Sequence, residues 1–410
     1  MLKAEMGVRS LQVRHAVAVA IAMAMPLPAA WAQDTTLDPV MVTAQRRTEN
    51  VQDVPVAIST LDNEKLNILG SGGDDIRLLS GRVPSLLIES SFGRAFPRFY
   101  IRGLGNTDFD LNASQPVSLI YDDVVQENPI LKGFPVFDLE MVEVFRGPQG
   151  TLFGRNTPAG VVKFNSVRPS REMGGYFQAS YGEDATVNLE GAVGGPLGKN
   201  WSMRLSAMYQ HRDDWVDNYE PDGDLIEENA FEGYDEAAGR LQFLYEPSED
   251  FSALINIHAR TLDGTARMFR ANVFELGSQG LVSGFDEDVV SYDGSNDQDL
   301  DSSGGSLRIS KNFGNVTLHT ITGYETVDVL SRGDIDGGYS CAFAPCTAPS
   351  GPGFIPFTAE SADGLSDHDQ LTQEIRLESR ELGAFDWQAG VYHFDEEITI
   401  DSYNYDTVNN

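Results

Sequence analysis

The stretch Asp138–Thr157 reads DLEMVEVFRGPQGTLFGRNT and combines a strand signal with a glycine-rich turn. Its first part, Met141–Phe145, is an apolar run with a single Glu, which is typical of a β-strand. Gly147, Gly150 and Gly154 follow at short intervals, where they permit tight turns and a close approach of the backbone. The run lacks the Lys and the hydroxyl residue of a phosphate-binding loop, which argues against nucleotide binding. The stretch therefore predicts a strand that ends in a structured turn.

The region around this stretch, residues 48–168, has the pattern of one compact α/β domain. Short β-like runs alternate with turns rich in Gly, Pro and Asn. Asn63–Leu69 and Asp74–Ser80 have helical character, and the second begins with an Asp suited to a helix start. A chain of roughly 120 residues is long enough for one buried core. The β-like runs are Val54–Ile58, Arg98–Ile101, Val117–Tyr121, Met141–Phe145 and Val161–Phe164.

From Gly174 onward the pattern changes to long strands with one apolar and one polar face. In Trp201–Gln210 the odd positions are apolar or aromatic, whereas most even positions are polar. Short joints alternate strictly with long connections, so all long loops are expected at one end. A transmembrane antiparallel β-barrel of the outer membrane has this arrangement, whereas a secreted β-sandwich has no reason for it. Residues 174–410 therefore predict about nine barrel strands, with Asp401–Asn410 as the start of a tenth.

Composition and the N-terminus set further limits on function. The 410 residues include 62 acidic and 29 basic side chains, and the net charge of −33 argues against a nucleic-acid partner. Residues 1–32 contain a basic start, the apolar run Ala16–Met25 and an Ala-x-Ala ending. This is the pattern of a signal peptide that is cleaved after Ala32, and it predicts an exported protein.

The stretch Asp138–Thr157 closely resembles the plug-domain signature of TonB-dependent outer-membrane receptors. Further segments resemble motifs of the same family in the same order along the chain. In one of these segments, Pro116–Val124, Asp123 stands where the family usually has Gly. The segments are Asp38–Ala44, similar to a TonB box, Phe99–Gly105, similar to the Ile-Arg-Gly motif, and Pro116–Val124, similar to a plug strand. Farther on, Gln373–Leu377 and Phe385–Tyr392 resemble barrel strands of the iron-complex branch.

The resemblance implies an N-terminal α/β plug domain, residues 48–168, with a barrel that takes up a ferric siderophore or a similar iron chelate. Residues 33–47 would then be an extended segment that TonB captures by strand addition, with ExbB and ExbD behind TonB. A linker without order until a partner arrives is the alternative. The residues expected to bind TonB are Asp38, Pro39, Val40, Met41, Val42, Thr43 and Ala44. The plug-motif residues are Arg102, Gly103, Arg146, Gly147, Pro148, Gly150, Gly154 and Arg155.

Two arginines of these motifs need partners. Arg102 and Arg146 would be costly inside a plug unless they are paired. In the family the corresponding arginines face glutamates of the barrel wall, and Glu374 is the expected partner here. An ordinary polar contact in a wet lumen is the alternative.

The same resemblance places two plug loops, Ser90–Pro97 and Asn106–Gln115, toward the outer vestibule. Arg94, Phe96 and Arg98 supply charge and aromatic surface there, and they are the expected ligand contacts. The alternative is ordinary turn chemistry with solvated arginines.

The outer loops carry two further predictions. Asp213–Glu236 and Asp286–Asp301 are strongly acidic, which suits a solvated surface bridged by cations to lipopolysaccharide. Calcium-dependent ordering is the alternative, but the spacing of a calcium-loop motif is not met, so no metal site is expected. Cys341 and Cys346 lie close together in an exported chain, which favours a local disulfide.

The sequence contains no catalytic constellation and no cofactor signature, so an enzyme is not expected. Cobalamin, a nickel chelate, an oligosaccharide or an aromatic compound are alternative cargoes, and a passive porin-like barrel is an alternative class. Plugged outer-membrane transporters close with about 22 strands. Nine or ten strands therefore predict a fragment with an incomplete barrel, in the outer membrane of a Gram-negative cell.

Overall fold

Two sheets dominate the computed structural model, which describes residues 40–43, 46–47, 49–70, 72–153, 155–220, 223–266, 268–340, 353–379 and 385–405. One is a five-stranded sheet of the N-terminal domain, and the other is a nine-stranded antiparallel sheet formed by the later residues. Val42–Asn410 forms one compact unit and Met1–Met41 another. Within the described residues, no helix has both the length and the apolar character needed to cross a membrane.

The N-terminal domain consists of short strands and short helices, as the sequence predicts, but two of the predicted elements differ. The strand expected at Val54–Ile58 begins at Ile58 and ends at Asp62, and the helix expected at Asp74–Ser80 is a short 3₁₀ turn. Its helices are α1 (Asn63–Gly70) and α2 (Gly150–Phe153), with 3₁₀ turns at Ile76–Leu79 and Leu131–Gly133. Its strands are β1 (Met41–Val42), β2 (Glu49–Asn50), β3 (Ile58–Asp62), β4 (Leu86–Ser90), β5 (Pro97–Ile101), β6 (Val117–Tyr121), β7 (Val124–Gln126), β8 (Leu139–Arg146) and β9 (Gly160–Ser166).

The plug sheet, as we call the five-stranded sheet, has the order β3-β8-β9-β6-β7. Strand β8 comes from the stretch quoted above and pairs with a neighbour on each side. Its apolar residues pack with those of the adjacent strands into one buried core that includes Leu119, Val142, Val144 and Phe164. Gly160 begins β9 at φ +154°, where an added Cβ would lie 2.1 Å from the Phe145 carbonyl oxygen. Burial of these apolar faces is what holds the plug sheet together.

The wall sheet, as we call the nine-stranded sheet, has the order β10-β11-β12-β15-β16-β18-β19-β22-β23. The predicted alternation in β12 is confirmed: Leu205 is 45% exposed on the outer face, whereas Ser206 is 2% exposed and faces the plug. In chain order the strands are β10 (Gly174–Tyr181), β11 (Val187–Pro196), β12 (Trp201–Arg212), β13 (Val216–Tyr219), β14 (Leu225–Phe231), β15 (Tyr234–Ser248), β16 (Phe251–Gly264), β17 (Val289–Val290), β18 (Asp297–Asn312), β19 (Val316–Asp334), β20 (Tyr339–Ser340), β21 (Phe354–Ile355), β22 (Glu360–Ser379) and β23 (Gln388–Tyr405).

The long connections of the wall have structure of their own, which the sequence pattern did not indicate. Strands β13, β14 and β17 form a separate three-stranded sheet from two different connections. A small apolar cluster of Val216, Phe231, Val290 and Tyr292 holds this sheet together. The neighbouring wall strands also begin earlier than predicted, for example β15 at Tyr234. Apolar side chains scattered through an acidic loop give no periodic signal, so only the folded chain reveals that they meet.

The plug buries a lysine, and its burial gives a pH-dependent stability. Lys132 is 1% exposed, and its Nζ donates to the Val117 carbonyl at 3.0 Å. Burial lowers the pKa of Lys132 from 10.5 to about 8, although Glu127 and Glu396 act against this change. Between these two values the unfolded chain binds the proton more tightly than the folded chain. The free energy of unfolding therefore rises with pH across this range.

We expect this free energy to increase by about 2–3 kcal/mol between pH 8 and pH 10.5. Urea unfolding at several pH values measures the increase, and Lys132→Met should remove it. Equal pH dependence in the two proteins would show that Lys132 is not its source.

Candidate functional site

The N-terminal segment predicted to bind TonB is anchored to the plug at Thr43. The Thr43 backbone N–H and hydroxyl each donate to the Glu143 carboxylate at 2.6 Å. The Lys163 Nζ donates to the same hydroxyl at 2.8 Å. Glu143 lies in β8 and is fully buried, so these bonds are shielded from water. The segment is thus tied to the strand from the quoted stretch.

Arg46 extends this anchor to the wall. Its guanidinium lies 3.1 Å from Asp123 and 3.3 Å from Glu374 of β22. The same group donates to the Leu152 carbonyl at 3.0 Å and lies over the Phe153 ring at 4.6 Å. Arg46 therefore connects the N-terminal segment, the plug and one wall strand.

Asp123 is the centre of this charge network. It ion-pairs with Arg46, with Lys163 at 2.8 Å and with Arg308 of β18. Burial alone would raise the pKa of the Asp123 carboxyl, but Arg308, Lys163 and Arg46 hold it well below its usual range. Asp123 adopts φ +71° in the turn between β6 and β7, at the position where the family usually has Gly. Asp123, where the chain departs from the family motif, is therefore a residue whose charge pairs with three cations.

The predicted pairing of Arg102 and Arg146 with Glu374 is not present in the structure. Glu374 is occupied by Arg46 and by Arg376, which lies 2.6 Å away. Arg102 is exposed in a turn at φ +55°, and Arg146 is half-buried at the end of β8. Among the described residues, neither arginine has an ion pair with a wall carboxylate. Glu374 does join the wall to the chain's N-terminal part, but through Arg46.

The remaining plug-motif residues shape the turn after β8. Gly147 has φ +129° and donates its N–H to the Ala159 carbonyl, and Gly103 has φ +78°. Pro148 is exposed and leads into α2, which begins at Gly150. These conformations fit the tight turns expected of the glycines.

Arg155 follows this turn and reaches both the plug and the wall. It lies 3.7 Å from Glu127 and over the Phe394 ring of β23 at 4.6 Å. The sequence identified Arg155 only as part of the plug motif, and its contacts with both the plug and the wall were not predicted.

Arg94 also joins plug and wall, and because it lines the cavity described below, its predicted ligand contact stays a prediction. It is 8% exposed and lies 2.6 Å from Glu236 of β15. Glu236 also pairs with Arg260 of β16 at 2.8 Å, so one buried carboxylate holds two arginines. The Arg94 guanidinium lies over the Tyr234 ring at 4.0 Å. Sequence reasoning missed this pair because Glu236 lies 142 residues away.

Phe96 and Arg98 are also buried in this structure. Phe96 is 1% exposed and packs with apolar wall residues such as Leu262 and Leu300. Arg98 is 4% exposed, lies 2.8 Å from Glu89 and donates to the Thr107 carbonyl at 3.1 Å. Both side chains are buried and not exposed in a turn, so neither is accessible to a ligand in this structure.

A cavity of about 670 Å³ lies between plug and wall at the end that carries the long loops. Its lining includes four arginines and four carboxylates, namely Arg77, Arg94, Arg212, Arg270, Asp74, Asp75, Glu232 and Glu287. The ring of Tyr234 lies between two of them, with Arg94 at 4.0 Å and Arg212 at 5.1 Å. Arg77 pairs with Asp75 at 2.8 Å and Arg212 with Glu232 at 3.5 Å, so the cavity offers mixed charges and an aromatic ring to a polar molecule.

The acidic loops bring three carboxylates together. Asp293, Asp334 and Asp336 offer oxygen atoms within 4.8 Å of one another. Asp293 accepts a hydrogen bond from the Ser340 N–H, and Asp336 accepts one from the Ala359 N–H at 2.6 Å. These bonds connect separate loops through backbone donors.

Several predictions concern residues outside the described ranges. They are the signal peptide 1–32 with its cleavage after Ala32, three residues of the TonB-binding segment, the motif glycine Gly154, and the disulfide. The residues in question are Asp38, Pro39, Ala44, Gly154, Cys341 and Cys346.

Comparison with known proteins identifies the domain and the fold. Residues 50–161 match the TonB-dependent Receptor Plug Domain family. The pesticin receptors of Yersinia enterocolitica and Yersinia pestis are 25% identical over 157 residues, covering 38% of this chain and 21% of the relatives. Residues 50–161 therefore form the plug domain of the TonB-dependent receptors, as the motifs in this range predict, whereas the TonB box stays a prediction.

Solved structures extend the likeness to the wall. The ferric yersiniabactin uptake receptor of Yersinia pestis matches with a TM-score of 0.67 and 17% identity. The match covers 85% of this chain and 50% of that receptor chain. The pyoverdine receptor of Pseudomonas aeruginosa has a TM-score of 0.66 and 16% identity, with coverages of 90% and 51%. The fold is thus a plug with part of an antiparallel outer-membrane barrel, as predicted. The chain spans about half the length of these receptors.

Proposed function

We propose that this chain is the N-terminal part of a receptor that takes up a ferric siderophore or similar iron chelate with energy delivered by TonB. The observation that carries the proposal is the anchoring of the segment around Thr43 to the plug and, through Arg46, to the wall. A segment held this way transmits a pull from TonB directly to the plug. Asp38–Ala44 would be the part that TonB captures, with ExbB and ExbD behind it.

The cargo proposal rests on receptors of the same fold and on the cavity at the loop end. Its four arginines, four carboxylates and Tyr234 offer hydrogen-bond donors, acceptors and a ring to a polar chelate with aromatic groups. Receptors of the same fold are described as taking up ferric yersiniabactin and as binding pyoverdine. Another scarce cargo, such as cobalamin or an oligosaccharide, is the second candidate, since the cavity lining does not specify a metal.

The remaining assignments follow from the same proposal. The signal peptide would be cleaved after Ala32. The receptor would then reside in the outer membrane of a Gram-negative cell, in contact with lipid and lipopolysaccharide. Residues 33–47, 48–168 and 174–410 would be the TonB-binding segment, the plug and the barrel part. Cys341 and Cys346 would form a disulfide in an outer loop. We assign no enzymatic reaction and no resident cofactor to this chain.

Growth under iron limitation tests the cargo. A strain lacking the gene should fail to grow on one ferric siderophore of a panel, and the intact gene should restore growth on that siderophore. As a matched pair, complementation should fail with Arg212→Gln, which alters the cavity, and succeed with Arg171→Gln, which lies outside it. Growth that is indifferent to iron and to every siderophore tested would move the assignment to another cargo.

A further inference from the structure

A groove runs along the plug-facing side of β18, between β16 and β19 of the wall. Ser302, Gly304 and Ser306 alternate onto this side, and all three are small and only half-buried. The residues beside them are covered by the plug, since Asn256 of β16 and Glu325 of β19 are each 2% exposed. The plug therefore packs against the two flanking strands and leaves space over β18.

The groove has a cavity at each end. The cavity at the long-loop end, described above, includes Gln298 of β18 in its lining. A second cavity, of about 660 Å³, lies at the end with the short turns and includes Ser310 of the same strand. Both cavities also have lining residues from β15 and β16. The groove thus lies between two cavities of similar volume on one sector of the wall.

This sector of the wall contains buried polar atoms that have no partner in the described part of the chain. Asn256, opposite Ser306, donates through Nδ2 to Asp122 at 2.9 Å, but no described residue donates to its Oδ1. Arg240 of β15 is 2% exposed, and its Nε and Nη1 have no acceptor among the described residues. Buried polar groups cost free energy unless another group bonds to them. These atoms offer an acceptor and two donors to a polar molecule.

One hydrogen-bonded pair, which we call the crossing pair, spans the groove. His258 Nε2 of β16 lies 2.9 Å from the Glu325 carboxylate of β19. A Cβ added to Gly304 would collide with both side chains, so the pair lies directly over this glycine. From the plug, Gln126 donates to Glu325 at 3.3 Å, and the Phe134 ring packs edge-on against His258 at 5.0 Å. The plug therefore holds the crossing pair in place.

We propose that this groove is the path by which the cargo passes the plug, from the long-loop cavity to the short-turn cavity, and that the crossing pair closes it until the plug moves. The inference rests on the proposed uptake function and locates its path on β18. Gln126 and Phe134 belong to the plug, so a displacement of the plug frees His258 and Glu325. The donors and acceptors of this sector suit a polar chelate.

Cysteine accessibility in cells that produce the full-length receptor tests the path. Cys341 and Cys346 are replaced by Ser, and Ser306→Cys then places one thiol in the groove. A charged thiosulfonate reagent should modify this thiol about tenfold faster when TonB and the ferric siderophore from the growth panel are both present than when either is absent. Thr372→Cys is the matched control, because Thr372 faces the plug from β22 and is 3% exposed. Its modification rate should not change.

Iron uptake after modification is the second measurement. Modification should abolish uptake by Ser306→Cys and leave uptake by Thr372→Cys unchanged. Removal of the crossing pair by Glu325→Ala should give fast modification of Ser306→Cys even without TonB, whereas Asp369→Ala, at an exposed position of β22, should not.

The two proposals fail in different ways. TonB-dependent uptake by the parent, together with an unchanged modification rate of Ser306→Cys or with full uptake after its modification, would overturn the path and leave the uptake proposal standing. Parent cells that accumulate no iron through TonB would contradict the uptake proposal and the path with it.

Discussion

Replacing Asp123 by Asn is expected to cost about 3–5 kcal/mol of the free energy of unfolding, because three cations lose their shared buried carboxylate. Asn tolerates the left-handed conformation that Asp123 adopts at φ +71°, so the turn itself should be kept. The loss of stability is then caused by the removed charge and not by a change in the backbone. Urea unfolding followed by tryptophan fluorescence measures it.

Asp110→Asn is the matched control for this prediction. Asp110 is exposed in a plug loop and accepts only a local backbone hydrogen bond from Asn112, which Asn can also accept. Its replacement should change the free energy of unfolding by less than about 0.5 kcal/mol. If both variants lose the same small amount, Asp123 is not the centre of the network.

Replacing Glu236 by Gln is expected to have an effect of similar size at the opposite end of the plug. Glu236 is 1% exposed and holds Arg94 of the plug and Arg260 of the wall. Gln has nearly the same volume but leaves two buried arginines without their shared anion, at an expected loss of about 3–5 kcal/mol. Arg94 also lines the cavity, so the variant should lose ligand affinity together with stability.

Thermal unfolding and equilibrium binding of the identified siderophore measure the two effects. Glu227→Gln removes the same charge from an exposed position in β14 and should change neither quantity. A Glu236→Gln variant that matches this control in both measurements would contradict the role of the carboxylate in joining plug and wall.

The sequence predicts the architecture well because periodic patterns carry it. The run Met141–Phe145 lies in β8, and the alternation in Trp201–Gln210 correctly separates the plug-facing and outer sides of β12. The nine wall strands and the alternation of loops follow from the same period of two residues. A tenth strand was expected to start at Asp401, but residues 401–405 belong to β23. The sequence pattern and the tertiary structure agree where buried and exposed residues alternate along one strand.

The candidate site was predicted less well because its contacts join distant positions. Arg46 meets Glu374 across 328 residues, and no periodicity marks either residue as one of a pair. Arg94 was expected to contact a ligand, but its ion pair with the wall carboxylate Glu236 was not predicted. One signal was available: Asp123 replaces a family Gly, and a charged residue at a left-handed position needs a compensating contact.

Iron accumulation in cells tests the central claim most directly. Cells that produce the intact receptor are given the radiolabelled ferric siderophore, with and without functional TonB, and the iron retained after washing is counted. We expect accumulation that requires TonB and is lost when Thr43→Pro breaks the anchor of the N-terminal segment. Equal accumulation with and without TonB would contradict it and would indicate a passive barrel.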